Sequence, residues 1–83
     1  MGEFVVYILS SYRNNKLYTG HTSDLISRIR SHNEFGKGWT ARYRPWHVIY
    51  MEFYATKKEA LCREKWLKSG VGREFIAKNI KFD

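Results

Sequence analysis

A carboxylate occupies an unexpected position on one predicted helix of this sequence. Successive helical residues turn by about 100°, so Glu64 falls between Ala60 and Leu61 in the apolar arc. An acid in such an arc is costly unless it is paired or binds a metal. Two interpretations stay open: Glu64 is a metal ligand, or it is a rim carboxylate bridged to Lys68 one turn later.

Two tyrosines lie in neighbouring predicted strands, Tyr7 in VVYIL and Tyr18 in KLYTG. Side chains alternate across a strand, so a connection of even length puts both rings on the same face of the sheet. The pair Asn14-Asn15 favours a two-residue turn. We therefore expect both phenols to point into one site. Packing alone is the simpler explanation, because tyrosine is a good strand residue.

An arginine and a histidine follow on the next predicted helix. Arg28 and His32 are four residues apart and share a face. An arginine that keeps its proton is a natural phosphate clamp, and a histidine moves protons near neutral pH. Each residue also has a structural explanation. Arg28 would be a solvated residue on the helix surface, and His32 would interact with the dipole at the C-terminal end of the helix.

The net charge indicates a polyanionic partner. Fifteen Lys and Arg residues against eight Asp and Glu residues give +7 at neutral pH. On so small a domain this surplus suggests nucleic acid. The stretch KGWTARYRPW, predicted as a loop, combines cations with aromatic rings that can stack bases. Its tryptophans, Trp39 and Trp46, equally suit the covering of a small core.

Several classes of protein are excluded or disfavoured. The length suits one domain, residues 1–83. Cys62 is the only cysteine, which rules out an internal disulfide and a cysteine-rich zinc site. The histidines lack zinc-ligand spacing, and no apolar stretch of about 18 residues is present to span a membrane. The N-terminal segment is expected to form the first strand and not a signal peptide. The protein is therefore expected to be cytoplasmic.

The order of the predicted elements is β-β-α-β-α-α. The strands are expected at residues 4–10, 16–21 and 47–54. Thr22 or Ser23 caps the first helix, whose apolar arc is Leu25, Ile26 and Ile29. Thr56 and Glu59 form a capping box for the second helix, which ends near Gly70 and precedes another short helix. This order predicts an α+β fold with a small three-stranded, mostly antiparallel sheet flanked by helices.

The chain resembles a GIY-YIG nuclease domain over nearly its whole length. The similar segments are Val5-Val6-Tyr7, Tyr18-Thr19-Gly20, SDLISRIRSHN with Arg28 and His32, and EALCREKWLKSG with Glu64. The likeness is strongest to the small stand-alone, excinuclease C-like bacterial members. The first signature of the family, here Val5-Val6-Tyr7, lacks its glycine. The second signature, here Tyr18-Thr19-Gly20, has threonine in place of isoleucine. His21 stands where some members have lysine. Asn79 is a loose candidate for the family's late asparagine.

The resemblance implies a metal-dependent endonuclease that hydrolyses phosphodiester bonds, with DNA as the expected substrate in repair or processing. Glu64 would hold Mg²⁺ or Mn²⁺, Arg28 would stabilise the phosphoryl charge, and Tyr7 or Tyr18 would act as base, with His32 or His21 as relay. The residues expected to contact nucleic acid are His21, Lys37, Arg42, Arg44 and Lys68. The alternatives are a nucleic-acid-binding module that cuts weakly or not at all, and a protein-interaction module. A protein partner or targeting subunit is compatible with all three.

Overall fold

One antiparallel sheet of three strands organises the chain. The computed structural model describes residues 3–13, 16–35 and 39–80. Its elements are β1 (Phe4–Ser11), β2 (Leu17–Thr22), α1 (Leu25–Arg30), a π-helical turn (Ser31–Phe35), α2 (Trp39–Arg42), β3 (Trp46–Tyr54), α3 (Lys57–Lys68) and α4 (Gly70–Asn79). The strand order is β2-β1-β3, with both pairings antiparallel. The predicted α+β class and three-stranded sheet are confirmed.

The strand register places both tyrosines on the same face of the sheet. Tyr7 lies opposite Gly20, and Tyr18 lies opposite Leu9, two positions along from Tyr7. The backbone N–H of Ser11 donates to the carbonyl of Lys16 over 2.9 Å, so the connection has the even length of four residues, 12–15. The two-residue turn predicted at positions 14–15 lies outside the described residues.

The central strand β1 is buried on both faces by helices. Val6 and Ile8 pack against a cluster formed with α3 and α4, whose buried members are Ala60, Leu67, Ile76 and Ile80. Tyr7 and Leu9 pack on the other face with Trp46, beneath Leu25 and Ile29 of α1. Burial from both sides explains why β1 is a near-continuous apolar run. Trp46 is 3% exposed, so it belongs to the core.

The first helix differs from its prediction in three respects. Its N-cap is Asp24, whose side chain accepts from the backbone N–H of Ser27 over 3.2 Å. The predicted caps, Thr22 and Ser23, are both wrong, and Thr22 is still part of β2, where it pairs with Val5. Ile26 is 75% exposed and does not belong to the apolar arc. The helix also widens into the π-helical turn after Arg30.

The later helices follow the predicted signals closely. Thr56 Oγ1 accepts from the N–H of Glu59 over 3.2 Å, and the Glu59 carboxylate accepts from the N–H of Thr56, so the capping box is confirmed. Ser69 separates α3 from α4 and caps α4. The predicted loop over residues 37–46 is wrong in part, because α2 forms within it. In the described ranges no helix is long and apolar enough to cross a membrane.

A charged cluster fixes how α3 sits on the sheet. The guanidinium of Arg63 donates two hydrogen bonds, of 2.9 and 3.0 Å, to the carboxylate of Glu52 on β3. The hydroxyls of Tyr50 and Tyr54 donate to the same carboxylate. Bidentate pairs of this kind are geometrically specific. Because Arg63 immediately precedes Glu64, the cluster also sets the direction in which Glu64 leaves the helix.

Candidate active site

Three aromatic side chains meet on the face of the sheet covered by α1. The Tyr18 ring centroid is 4.6 Å from that of His32 and 6.2 Å from that of Tyr7. Tyr7 Oη lies 3.2 Å from His32 Nε2, within hydrogen-bond reach. Tyr7 is fully buried and His32 is 5% exposed, whereas Tyr18 is half-buried. The prediction that both tyrosine rings lie on the same face of the sheet is confirmed.

The glycine of the second signature lies beneath the ring of Tyr7. A Cβ atom on Gly20 would lie 2.8 Å from Tyr7 Oη, 3.0 Å from Tyr7 Cζ and 3.0 Å from Tyr18 Cε2. These distances are shorter than ordinary carbon contacts. The glycine is therefore required by the close approach of the two tyrosine rings.

The π-helical turn brings His32 into this cluster. Such single-turn bulges are often found at functional sites. Asn33 holds the turn against β3, since its side-chain amide donates to Trp46 O over 3.1 Å and its Oδ1 accepts from Trp46 N over 2.6 Å. Arg44 Nε donates to His32 O over 3.1 Å. Sequence reasoning missed Asn33 as a positioning residue. The only feature of the sequence that pointed to Asn33 was its amide side chain directly after the candidate histidine His32.

Arg28 adds a cation to the two phenols. It lies on α1 and is exposed, and its interactions with the phenols, that with Tyr7 first and that with Tyr18 second, raise the pKa of its guanidinium. Burial raises the pKa of Tyr7, and the hydrogen bond from Arg28 opposes this rise without cancelling it. The phenol of Tyr7 is therefore protonated at neutral pH.

His32 has the opposite electrostatic character. Burial lowers the pKa of its imidazole, and the positive charge of Arg28 lowers it further. The ordinary value is about 6.5, so this ring is neutral at pH 7. A neutral imidazole beside two phenols is a proton acceptor in the physiological range.

Glu64 contacts two side chains, one on the edge strand β2 and one on its own helix. One oxygen binds His21 Nδ1, and the other lies 2.7 Å from Lys68 Nζ. Its side chain is only 13% exposed. Burial by itself raises the pKa of this carboxyl, but the hydrogen bonds from Lys68 and His21 outweigh it and lower the pKa. The pairing with Lys68 and the metal-ligand role were alternatives in the sequence, and the pairing is present.

Glu64 approaches the site from the other face of the sheet. His21 lies opposite Val6, whose side chain packs on the α3 side, whereas Tyr7 packs on the α1 side. Burial is the largest cause of the raised pKa of Tyr7, and the charge of Glu64 is a lesser one. β2 therefore separates a phenol–guanidinium–imidazole cluster from a carboxylate that acts on it electrostatically.

The donor set fits a cation held by one carboxylate. Within the described ranges no group of three His, Cys, Asp or Glu side chains forms a metal cage. Mg²⁺ keeps several waters and is often bound through one or two carboxylates plus substrate phosphates. Glu64 is ionised and supplies one such ligand, but a cation must compete with Lys68 for its oxygen.

The remaining predicted site residues are more dispersed. Lys37 lies outside the described residues, and Arg42 is exposed at the end of α2. Asn79 is exposed on α4, where its side chain donates to Phe75 O over 3.0 Å, so it is not part of the tyrosine cluster. Nucleic-acid contacts by His21, Arg42, Arg44 and Lys68 stay predictions.

An antiparallel sheet with tyrosines on its paired strands, an arginine on the next helix and a glutamate on a later one defines the class of GIY-YIG domains. Residues 3–75 match the family model described as the GIY-YIG catalytic domain. The chain belongs to this family.

Similar proteins carry the name UPF0213. A UPF0213 protein of Staphylococcus aureus strain Mu3 is 41% identical over 71 residues, covering 83% of this chain and 84% of the relative. The protein SAV0488 of strain Mu50 has the same values. The solution NMR structure of BH0048 from Bacillus halodurans superposes with a TM-score of 0.55 at 26% identity, covering 90% of this chain and 82% of that one.

Proposed function

We propose that this protein is a metal-dependent endonuclease that hydrolyses phosphodiester bonds in nucleic acid, with DNA as the expected substrate and a role in repair or processing. The supporting observation is that Tyr7, Tyr18, Arg28 and His32 converge on one face of the sheet, within electrostatic reach of the ionised Glu64. The net charge of +7 favours a polyanionic substrate.

Arg28 binds the scissile phosphate in this proposal. The residue is exposed, its guanidinium is permanently charged, and its pKa is raised by the neighbouring phenols. Charge that develops on the phosphoryl oxygens is stabilised by a cation held in place before the reaction. Glu64 would hold Mg²⁺ or Mn²⁺, which when bound would polarise the phosphate and stabilise the leaving oxygen.

The roles of the phenols follow from their exposure. Tyr7 is fully buried and protonated, so we assign it to orient His32 and Arg28. Tyr18 is half-buried, and we assign it as the phenol that meets the attacking water. The proton of that water passes toward the neutral His32, whose ring adjoins that of Tyr18. The new P–O bond forms as the bond to the leaving oxygen breaks.

The test is a cleavage panel with matched variants. Labelled branched, duplex and single-stranded DNA and RNA are incubated with Mg²⁺ or Mn²⁺. Glu64→Gln and Arg28→Ala are expected to reduce cleavage by at least about 100-fold, with circular dichroism unchanged. Controls are Glu74→Gln and Arg30→Ala, at exposed positions. Cleavage that survives both site substitutions, or falls equally in the controls, refutes the assignment.

A second candidate function is nucleic-acid binding with weak or no cleavage. Its support is the pairing of both Glu64 oxygens with His21 and Lys68, which balances the carboxylate charge with side chains of the protein itself. Binding without cleavage, with affinity falling steeply as salt rises, would favour this candidate. Salt-insensitive binding of a protein partner and no affinity for nucleic acid would favour an interaction module.

A further inference from the structure

A groove runs between the edge strand β2 and the helices α3 and α4, and we call it the β2–α4 groove. It encloses about 380 Å³, within the range of small-ligand sites. Leu17, Leu67 and Ile76 form its apolar surface, and Tyr18, Lys68 and Arg73 also line it. Tyr18 therefore belongs both to this groove and to the aromatic cluster with His32.

The charges around the groove select an anionic occupant. Its lining, as far as the structure describes it, contains two cations and no carboxylate. Lys68 is held by Glu64, whereas Arg73 has no carboxylate partner among the described residues. Arg73 is also exposed. An exposed guanidinium beside an apolar surface is suited to bind a phosphate while the attached base or sugar packs below it.

We propose that the β2–α4 groove binds a nucleotide of the single-stranded part of the substrate, next to the phosphate at Arg28, with Arg73 on the phosphate of that nucleotide. Tyr18 connects the two positions because it lines the groove and its ring lies in the cluster with Tyr7 and His32. The inference rests on the proposed function for the identity of its ligand. It adds a path for the nucleic-acid strand along β2 and a phosphate contact outside the catalytic cluster.

Binding is measured by fluorescence anisotropy with a labelled oligothymidylate in EDTA, where metal-dependent cleavage does not occur. Arg73→Gln is expected to weaken binding about fivefold at low salt and to reduce the log–log salt slope by about 0.7, the value for one phosphate contact on a single strand. Lys78→Gln removes the same charge from an exposed position of α4 outside the groove. This control is expected to change affinity by less than about twofold.

The location is tested by NMR titration of the ¹⁵N-labelled chain with the same oligothymidylate. Amide shifts at Leu17, Thr19 and Ile76 are expected in the wild type and are expected to weaken in Arg73→Gln. Equal effects of Arg73→Gln and Lys78→Gln on affinity and slope, or shifts confined to other surfaces, overturn the groove proposal.

The two proposals fail in different ways. If the wild type cleaves but Arg73→Gln binds and cleaves normally, the groove proposal is wrong and the nuclease assignment stands. If binding depends on Arg73 but no substrate is cleaved, the groove proposal stands and the nuclease assignment is wrong. A wild type that neither binds nor cleaves nucleic acid overturns both.

Discussion

Replacing Gly20 by alanine tests the geometry of the tyrosine cluster directly. The new methyl group would lie 2.8 Å from Tyr7 Oη and 3.0 Å from Tyr18 Cε2. The ring of Tyr7 is fully buried, so it has no open space into which to move. Overpacking of this kind costs about 1–3 kcal/mol. For a domain of this size, each kcal/mol lowers Tm by about 4–8 °C.

The same substitution is expected to disturb proton transfer. Any movement of Tyr7 away from the methyl group changes its 3.2 Å contact with His32 Nε2. We expect Gly20→Ala to lower the free energy of unfolding by about 1–3 kcal/mol in urea titrations. We also expect cleavage to fall further than the loss of folded protein explains, because the Tyr7–His32 contact is displaced in the molecules that still fold.

Gly70→Ala is the matched control. A Cβ atom there meets nothing within 4 Å, and the residue begins α4. Alanine in an unstrained helical position stabilises by about 0.4–1 kcal/mol, because it restricts the unfolded chain. A Gly20→Ala protein as stable as wild type, with the Tyr7–His32 contact retained, would show that the tyrosine rings do not require a glycine.

Two further predictions concern the charges of the site. The lowered pKa of His32 means that the unfolded chain binds more protons as pH falls below about 6.5. The free energy of unfolding should therefore decrease with falling pH, by up to about 1.4 kcal/mol per pH unit, until the pKa of His32 in the folded protein is reached. The difference between wild type and His32→Gln in urea titrations isolates this slope. A difference that does not depend on pH would contradict the prediction. Lys68→Met removes the 2.7 Å ion pair with Glu64 and should tighten Mn²⁺ binding, measured by calorimetry, up to about fivefold. The control Lys65→Met, at an exposed position of the same helix, should leave Mn²⁺ binding unchanged. Unchanged or weaker binding by Lys68→Met would argue against competition between Lys68 and the metal ion for the Glu64 oxygen.

Local patterns in the sequence were sufficient for most of the architecture. Strand alternation and an even connection put Tyr7 and Tyr18 on one face, and the capping box located the start of α3. The position of Glu64 on the inner arc also followed from helical spacing, and its side chain is 13% exposed. These features depend on residues a few positions apart, whose geometry is set by backbone periodicity.

The details of the site were decided by contacts between segments distant in sequence. His21 and Glu64 are 43 residues apart and meet only because α3 packs on β2. The π-helical turn that aims His32 at Tyr7 is held by Asn33 against β3, and Gly20 is needed because a ring from the neighbouring strand lies across it. Such requirements arise from side-chain packing between elements, which periodicity does not encode.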